Sequence, residues 1–131
     1  MILKIFTDGG SKGNPGPSSI GMVFYIDSKK VFHHHDNIGI ATNNDAEYAA
    51  LITALGFAKE KYRSGVEKIE FYSDSSLMVN QVNGLFKVKN GKIKEYVMKV
   101  RILEQEIGLP ITYSYIPREN NKEADLLVNT V

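Results

Sequence analysis

Apolar residues fall in short dense runs over the first forty positions and then mostly recur at spacings of three and four. Ile2, Leu3, Ile5 and Phe6 make a β-rich run that stops at Asp8-Gly9-Gly10. A strand this apolar belongs in the middle of a sheet. Lys12-Gly13-Asn14-Pro15-Gly16-Pro17 is a loop by composition. A second run, Ser19 to Asp27, leads through a short join to a third strand over Val31 to Ile38. Three runs with short joins predict an antiparallel meander. Thr42-Asn43-Asn44 then starts a helix in which Tyr48, Leu51, Ile52, Leu55, Ala58 and Tyr62 recur at helical spacing, ending near Arg63. A strand over Lys68 to Ser73 ends at Asp74. A short helix from Ser75 to Val82, a basic loop and a helix from Ile93 to Glu106 follow. Ile111 to Ile116 is the last strand, Pro117 to Asn121 a loop and Lys122 to Asn129 a final helix. The order β-β-β-α-β-α-α-β-α, with right-handed crossovers making the later strands parallel to the first, predicts an α/β fold. Its mixed sheet carries helices on its faces.

Composition narrows the class. At 131 residues, 43% of them hydrophobic, the protein is one domain by length and can bury a real core. The net charge of +1 does not indicate a wholly basic nucleic-acid binder, yet Lys87, Lys89, Lys92, Lys94, Lys99 and Arg101 face only Glu95 within one stretch. Without cysteine there is no disulfide and no Cys-based zinc site. No stretch reaches transmembrane length, and the N-terminal run is too short, and interrupted by Lys4, to be a signal peptide. A soluble cytoplasmic protein, monomeric and with no obligate protein partner or membrane attachment, is expected. His33, His34 and His35 alternate across a strand, so they cannot converge on one metal and read as an edge strand with polar outward positions.

Four acids stand at element ends. Asp8 and Asp74 end two strands expected to be parallel, where the functional crevice of open α/β sheets lies. If those strands are neighbours, about 4.8 Å apart, their carboxylates repel unless a cation or proton lies between them. Glu47 borders the buried face of the long helix, and Asp125 lies in the first turns of the last one. Each has a structural alternative. Asn44-x-x-Glu47 is close to a capping box, and an early acid suits the helix dipole; Asn120-x-x-Glu123 offers a capping pattern beside Asp125. Oxygen-only ligands select Mg²⁺ or Mn²⁺, and a carboxylate cluster holding two such ions is the standard device for phosphodiester hydrolysis.

The sequence resembles ribonuclease H of type 1. The resemblance is carried by Thr7-Asp8-Gly9-Gly10-Ser11 with Gly13-Asn14-Pro15-Gly16-Pro17, and by Thr42-Asn43-Asn44-Asp45-Ala46-Glu47-Tyr48. Further along it is carried by Ser73-Asp74-Ser75 with Gln81-Val82-x-Gly84, and by Pro117-Arg118-Glu119-x-Asn121-x-x-Ala124-Asp125. It spans nearly the whole sequence and implies a single ribonuclease H domain over residues 1–131. The implied fold is a five-stranded mixed sheet of order 3-2-1-4-5, with strands 1–3 antiparallel and helices on both faces. The implied activity is metal-dependent endonucleolytic cleavage of the RNA strand of RNA–DNA hybrids, leaving 5′-phosphomonoesters, with Mg²⁺ or Mn²⁺ held by Asp8, Glu47, Asp74 and Asp125. It further implies that Asn14, Thr42, Asn43, Asn44 and Gln81 line the hybrid groove.

The residue types suit that chemistry. Amides and backbone groups can read a 2′-hydroxyl without reading sequence. Gly9, Gly10 and Ser11 allow close backbone approach. The free N–H groups at the helix start behind Asn43 and Asn44 suit a phosphate.

Two features depart from the family's familiar pattern. Many members carry a histidine in the loop before the last acid, where this protein has Arg118. An arginine stays protonated and cannot act as a base, but it can stabilise charge on a phosphate. The basic protrusion of some members is reduced here to Leu85–Lys92, with lysines that can share the electrostatic hold on a hybrid. Two other functions are compatible with the fold. One is a non-catalytic nucleic-acid-binding module. The other is a small phosphatase with an Asp nucleophile, which would want a second acid at position 10, where this protein has glycine.

Overall fold

The computed structural model describes residues 1–62 and 64–130. Its elements are β1 (Ile2–Ser11), β2 (Gly16–Ile26), β3 (Lys29–Ala41), α1 (Asn43–Lys61), β4 (Lys68–Ser73), α2 (Ser76–Val82), α3 (Gly91–Ile107), β5 (Ile111–Tyr115) and α4 (Lys122–Thr130). A 3-10 turn at Arg118–Asn120 precedes α4. The five strands lie in the order β3-β2-β1-β4-β5. β1 is antiparallel to β2 and β2 to β3, while β4 runs parallel to both β1 and β5. The expected sheet is therefore present. The expected end of the long helix, Arg63, lies outside the described residues.

β1 does not stop at the acid. Its parallel ladder with β4 ends at Thr7 opposite Ser73, but its antiparallel ladder continues as Asp8, Gly9, Gly10 and Ser11 pair with Gly21, Ile20, Ser19 and Ser18. Asp8 is thus inside one ladder and at the end of the other. Backbone pairing needs no apolar side group, so the polar extension leaves no hydrophobic signal. β3 is longer than the expected Val31–Ile38 for the same reason: Lys29 and Lys30 at one end and Gly39 and Ala41 at the other all pair with β2. It is the sheet edge, with His33 and His35 exposed and His34 half-buried, its ring 5.0 Å from that of Phe57.

Successive residues of β1 look to opposite faces. Leu3 and Ile5 join Met22 and Phe24 under the apolar side of α1, where Tyr48, Leu51, Ala54, Leu55 and Ala58 are buried. α3 packs on α1, and α2 packs beside β5. α4 lies on the other face against β1 and β2. No described helix is long and apolar enough to cross a membrane.

Neither expected capping pair forms as the pattern suggests. The N-cap of α1 is Thr42: its Oγ1 accepts the Asp45 N–H at 3.0 Å, and Asp45 Oδ2 accepts the Thr42 N–H at 3.4 Å. The box is therefore Thr42–Asp45, two residues before the expected Asn44–Glu47 pair, and Glu47 is free to turn towards the sheet. At α4, Glu123 does not cap. It accepts from the Tyr25 hydroxyl and from Lys30 Nζ at 3.0 Å, clamping the helix to β2 and β3.

Candidate active site

Two glycines let the acid-bearing helices reach the sheet. A Cβ on Gly9 would lie 2.3 Å from both atoms of the Ala46 backbone carbonyl in α1. One on Gly21, which pairs with Asp8, would lie 2.7 Å from the Ala124 carbonyl oxygen in α4. The room that Gly9 provides is thus filled by α1 itself. Glu47 and Asp125 follow the two contact points by one residue each.

Asp8, Glu47 and Asp74 each present a carboxylate oxygen, and these oxygens all lie within 4.8 Å of one another. The Gly9 N–H donates to both Asp8 Oδ1, at 3.0 Å, and Glu47 Oε1, at 2.9 Å. Arg118 reaches the group from the rim, with Nε 3.9 Å from Asp74 Oδ2 and 4.0 Å from Asp125 Oδ1. Asp125 stands outside the three-acid group but close enough to act on Asp8.

One guanidinium does not neutralise this much negative charge. Burial, then the charge of Asp74 and the neighbouring Asp125, push Asp8 up to about 8 against the opposing pull of Arg118. Burial, then Asp8 and Asp74, hold Glu47 well above the usual carboxylate range despite the Gly9 N–H. Asp74 Oδ2 is buried and accepts no hydrogen bond from any described residue. A buried carboxylate oxygen without a hydrogen-bond partner is costly. An oxygen-only set in this condition fits a hard divalent cation.

The acids open onto a cleft of about 640 Å³ that is also lined by Gly10, Ser11, Asn43, Tyr115, Arg118 and Asn129. Of the residues expected along a groove, Ser11, Asn14 and Asn43 are tied together. The Ser11 N–H donates to Asn43 Oδ1 at 2.9 Å, and the Asn43 N–H donates to Asn14 Oδ1 at 3.0 Å. The first-turn donors of α1 are therefore partly spoken for, since Asn43 is taken by Asn14 and Asp45 by Thr42. Gln81 is half-buried, accepts from the Tyr48 hydroxyl at 2.8 Å and does not line this cleft. Thr42 is committed to its cap. Lys92, counted among the lysines of the basic stretch, is bound to Asp45 at 3.1 Å, while Lys87 and Lys89 are exposed.

Two residues at the site carry no reading from the residue pattern. Asn121 is buried and donates from Nδ2 to the Thr7 carbonyl at 2.8 Å, fixing the Arg118–Asp125 segment to the strand that holds Asp8. Tyr115 stands on the cleft wall. The apolar alternation Ile111, Tyr113, Tyr115 was the available signal: its last member falls opposite Ser73, one residue before Asp74.

Comparison with known proteins agrees with this geometry. Residues 6–131 match the family model described as reverse transcriptase-like. The structure of LC11-RNase H1 in complex with an RNA/DNA hybrid superposes with a TM-score of 0.92 at 38% identity, covering 98% of this protein and 95% of that one. Ribonuclease HI of Halobacterium salinarum is 37% identical over 129 residues, which are 97% of this protein and 62% of that one. The bifunctional protein Rv2228c of Mycobacterium tuberculosis is 36% identical over 98% of the present sequence. There the match spans only 35% of the relative's length. The protein belongs to the type 1 ribonuclease H family.

Proposed function

We propose that this protein is a cytoplasmic endoribonuclease, acting as one domain over residues 1–131 and as a monomer. It hydrolyses the RNA strand of RNA–DNA hybrids and leaves 5′-phosphomonoesters. The observation that carries the reading is the under-neutralised trio Asp8, Glu47 and Asp74 at the floor of an open cleft. Kinship with ribonucleases H, one of them solved on a hybrid, supports the choice of substrate.

In this reading Asp8, Glu47 and Asp74 hold Mg²⁺, with Mn²⁺ as a substitute, and Asp125 completes the ligand set for a second ion. Bound divalent ions supply activation of water and neutralise charge developing on the phosphate and the leaving oxygen. The Gly9 N–H fixes the Asp8 and Glu47 carboxylates relative to each other. Arg118, its guanidinium arm 76% exposed, meets a phosphate oxygen of the RNA strand and stabilises its charge. Gly10, Ser11, Asn14, Thr42, Asn43, Asn44 and Gln81 border the hybrid, some directly and some by bracing the wall. The 2′-hydroxyl is the group that tells the RNA strand from DNA.

The test is cleavage of a labelled RNA–DNA hybrid with Mg²⁺, beside single-stranded RNA, duplex RNA and duplex DNA, for wild type and Asp8→Asn. Cutting of the hybrid's RNA by wild type alone is expected. If neither protein cuts with Mg²⁺ or Mn²⁺ while both bind the hybrid, the protein is a binding module. Hydrolysis of a small phosphate ester but not the hybrid would assign it to the phosphatases.

A further inference from the structure

The protein has seven tyrosines, and six of them have engaged hydroxyls. Tyr25 donates to Glu123, Tyr48 to Gln81, Tyr62 to the Val31 carbonyl, Tyr72 to Glu70, Tyr96 to Asp45 and Tyr113 to Glu104. Tyr115 alone has a hydroxyl with no partner among the described residues, and it is the one that lines the acidic cleft. It is also 52% exposed, against 9% for Tyr113 two residues earlier in the same strand. A hydroxyl without a protein partner adds no hydrogen bond to the fold at that position.

Its backbone is nonetheless held. Tyr115 pairs with Ser73 in the parallel ladder, and the Ile116 N–H continues that ladder by donating to the Ser73 carbonyl at 2.9 Å. The tyrosine ring therefore starts from a fixed point, one residue along from Asp74 on the neighbouring strand and three before Arg118. A floor of carboxylates repels a phosphodiester, so the wall must supply donors. Arg118 supplies a charged one. Bases in a duplex are stacked inside it, which leaves phosphates and sugars as the groups a wall residue meets.

We propose that Tyr115 is a substrate-contact residue whose hydroxyl donates to a non-bridging phosphate oxygen of the nucleic-acid strand lying over the acids. The inference rests on the proposed function, because that reading puts a hybrid in the cleft. The contact is neutral, so it adds hold without adding to the salt dependence.

The experiment compares wild type, Tyr115→Phe and Tyr115→Ala in hybrid cleavage. Hybrid affinity is also measured by direct titration without divalent metal, across a range of salt. Both variants should raise KM and the dissociation constant about three- to tenfold, the worth of one hydrogen bond. kcat should stay within about twofold. The slope of log affinity against log salt should not change, because no charge is removed. The melting temperature of Tyr115→Phe should not move. Tyr115→Phe binding the hybrid as tightly as wild type overturns the contact, and so does a fall in kcat at unchanged KM. A wild type that binds but does not cut refutes the proposed function, while the titration still decides the contact.

Discussion

Asp45 and Glu47 sit two residues apart on the first turns of α1, and their surroundings treat them in opposite ways. Asp45 receives the Tyr96 hydroxyl at 3.0 Å, Lys92 Nζ at 3.1 Å and the Thr42 N–H at 3.4 Å. Burial alone would raise its pKa, but the bonds from Lys92, Tyr96 and Thr42 outweigh burial and hold the carboxyl below its usual range. Glu47 receives one backbone N–H and faces two more carboxylates, and it is pushed the other way. One helix turn thus carries a satisfied acid that ties α3 to α1 and an unsatisfied one aimed at Asp8. Acids that brace a fold come with donors. Acids that await a cation are gathered without them, and the fold bears the cost.

The sharpest way to break this contrast is Asp8→Asn. Replacing a crowded carboxyl by a neutral amide of the same shape should cost the metal-free fold nothing, while hybrid cleavage falls by about a thousandfold or more. A strongly lowered melting temperature would make Asp8 structural, like Asp45. Next comes Arg118→Ala, which should slow turnover by about ten- to a hundredfold and leave divalent-cation affinity intact. Steady-state rates equal to wild type would remove Arg118 from the site.

Asp45→Ala should behave in the reverse sense. It loses half a capping box and the Tyr96 bond, lowering stability by about 1–2 kcal/mol as read by urea denaturation. The turnover rate should stay within a few-fold of wild type. A large loss of activity with stability unchanged would show that the two acids of α1 are not separable.

The smallest effect is a pair of opposed pH slopes. In the folded state Asp8 holds its proton up to about 8 instead of 3.8, so the folded protein binds more protons than the unfolded one across that window. Stability of the metal-free protein should therefore fall as pH rises through it, and saturating Mg²⁺ should flatten the slope. Asp45, with its pKa lowered, contributes stability that is present above the unfolded value of 3.8 and is lost as pH falls. Urea midpoints measured with and without Mg²⁺ check both signs. A metal-free midpoint that climbs from about pH 5 to about pH 8 would contradict the crowding of Asp8.

The same contrast explains what the sequence disclosed before it was folded. β4 was legible to the residue, because Lys68–Ser73 is an apolar alternation closed by an acid. The polar end of β1 and the outer ends of β3 were not, because ladder pairing at Gly10, Ser11, Lys29 and Gly39 leaves no trace in hydrophobicity. The four acids stood out as residue types at element ends. Which helix-start acid caps and which faces the sheet was not readable, since Asn44-x-x-Glu47 and Thr42-x-x-Asp45 are equally good patterns on paper. The partners of Asp45 lie on α3, far along the sequence, and only the packed fold brings Lys92 and Tyr96 to it. Arg118 was visible as a departure from a familiar motif. Tyr115 was one aromatic among many until its hydroxyl proved to be the unengaged one.

Gly9 and Gly21 bear on how well the site keeps its dimensions. At both contacts backbone meets backbone, against Ala46 and against Ala124. A backbone has no rotamers to choose from, so the footing of each helix is set by bond lengths and strand spacing rather than by the fit of side groups. The gap between carboxylates is in this sense gauged by the polymer itself. Volume-conserving swaps elsewhere in the core can be taken up by neighbouring residues without reopening it. A protein built this way can exchange core residues of like volume and still hand the same tolerances to the next variant.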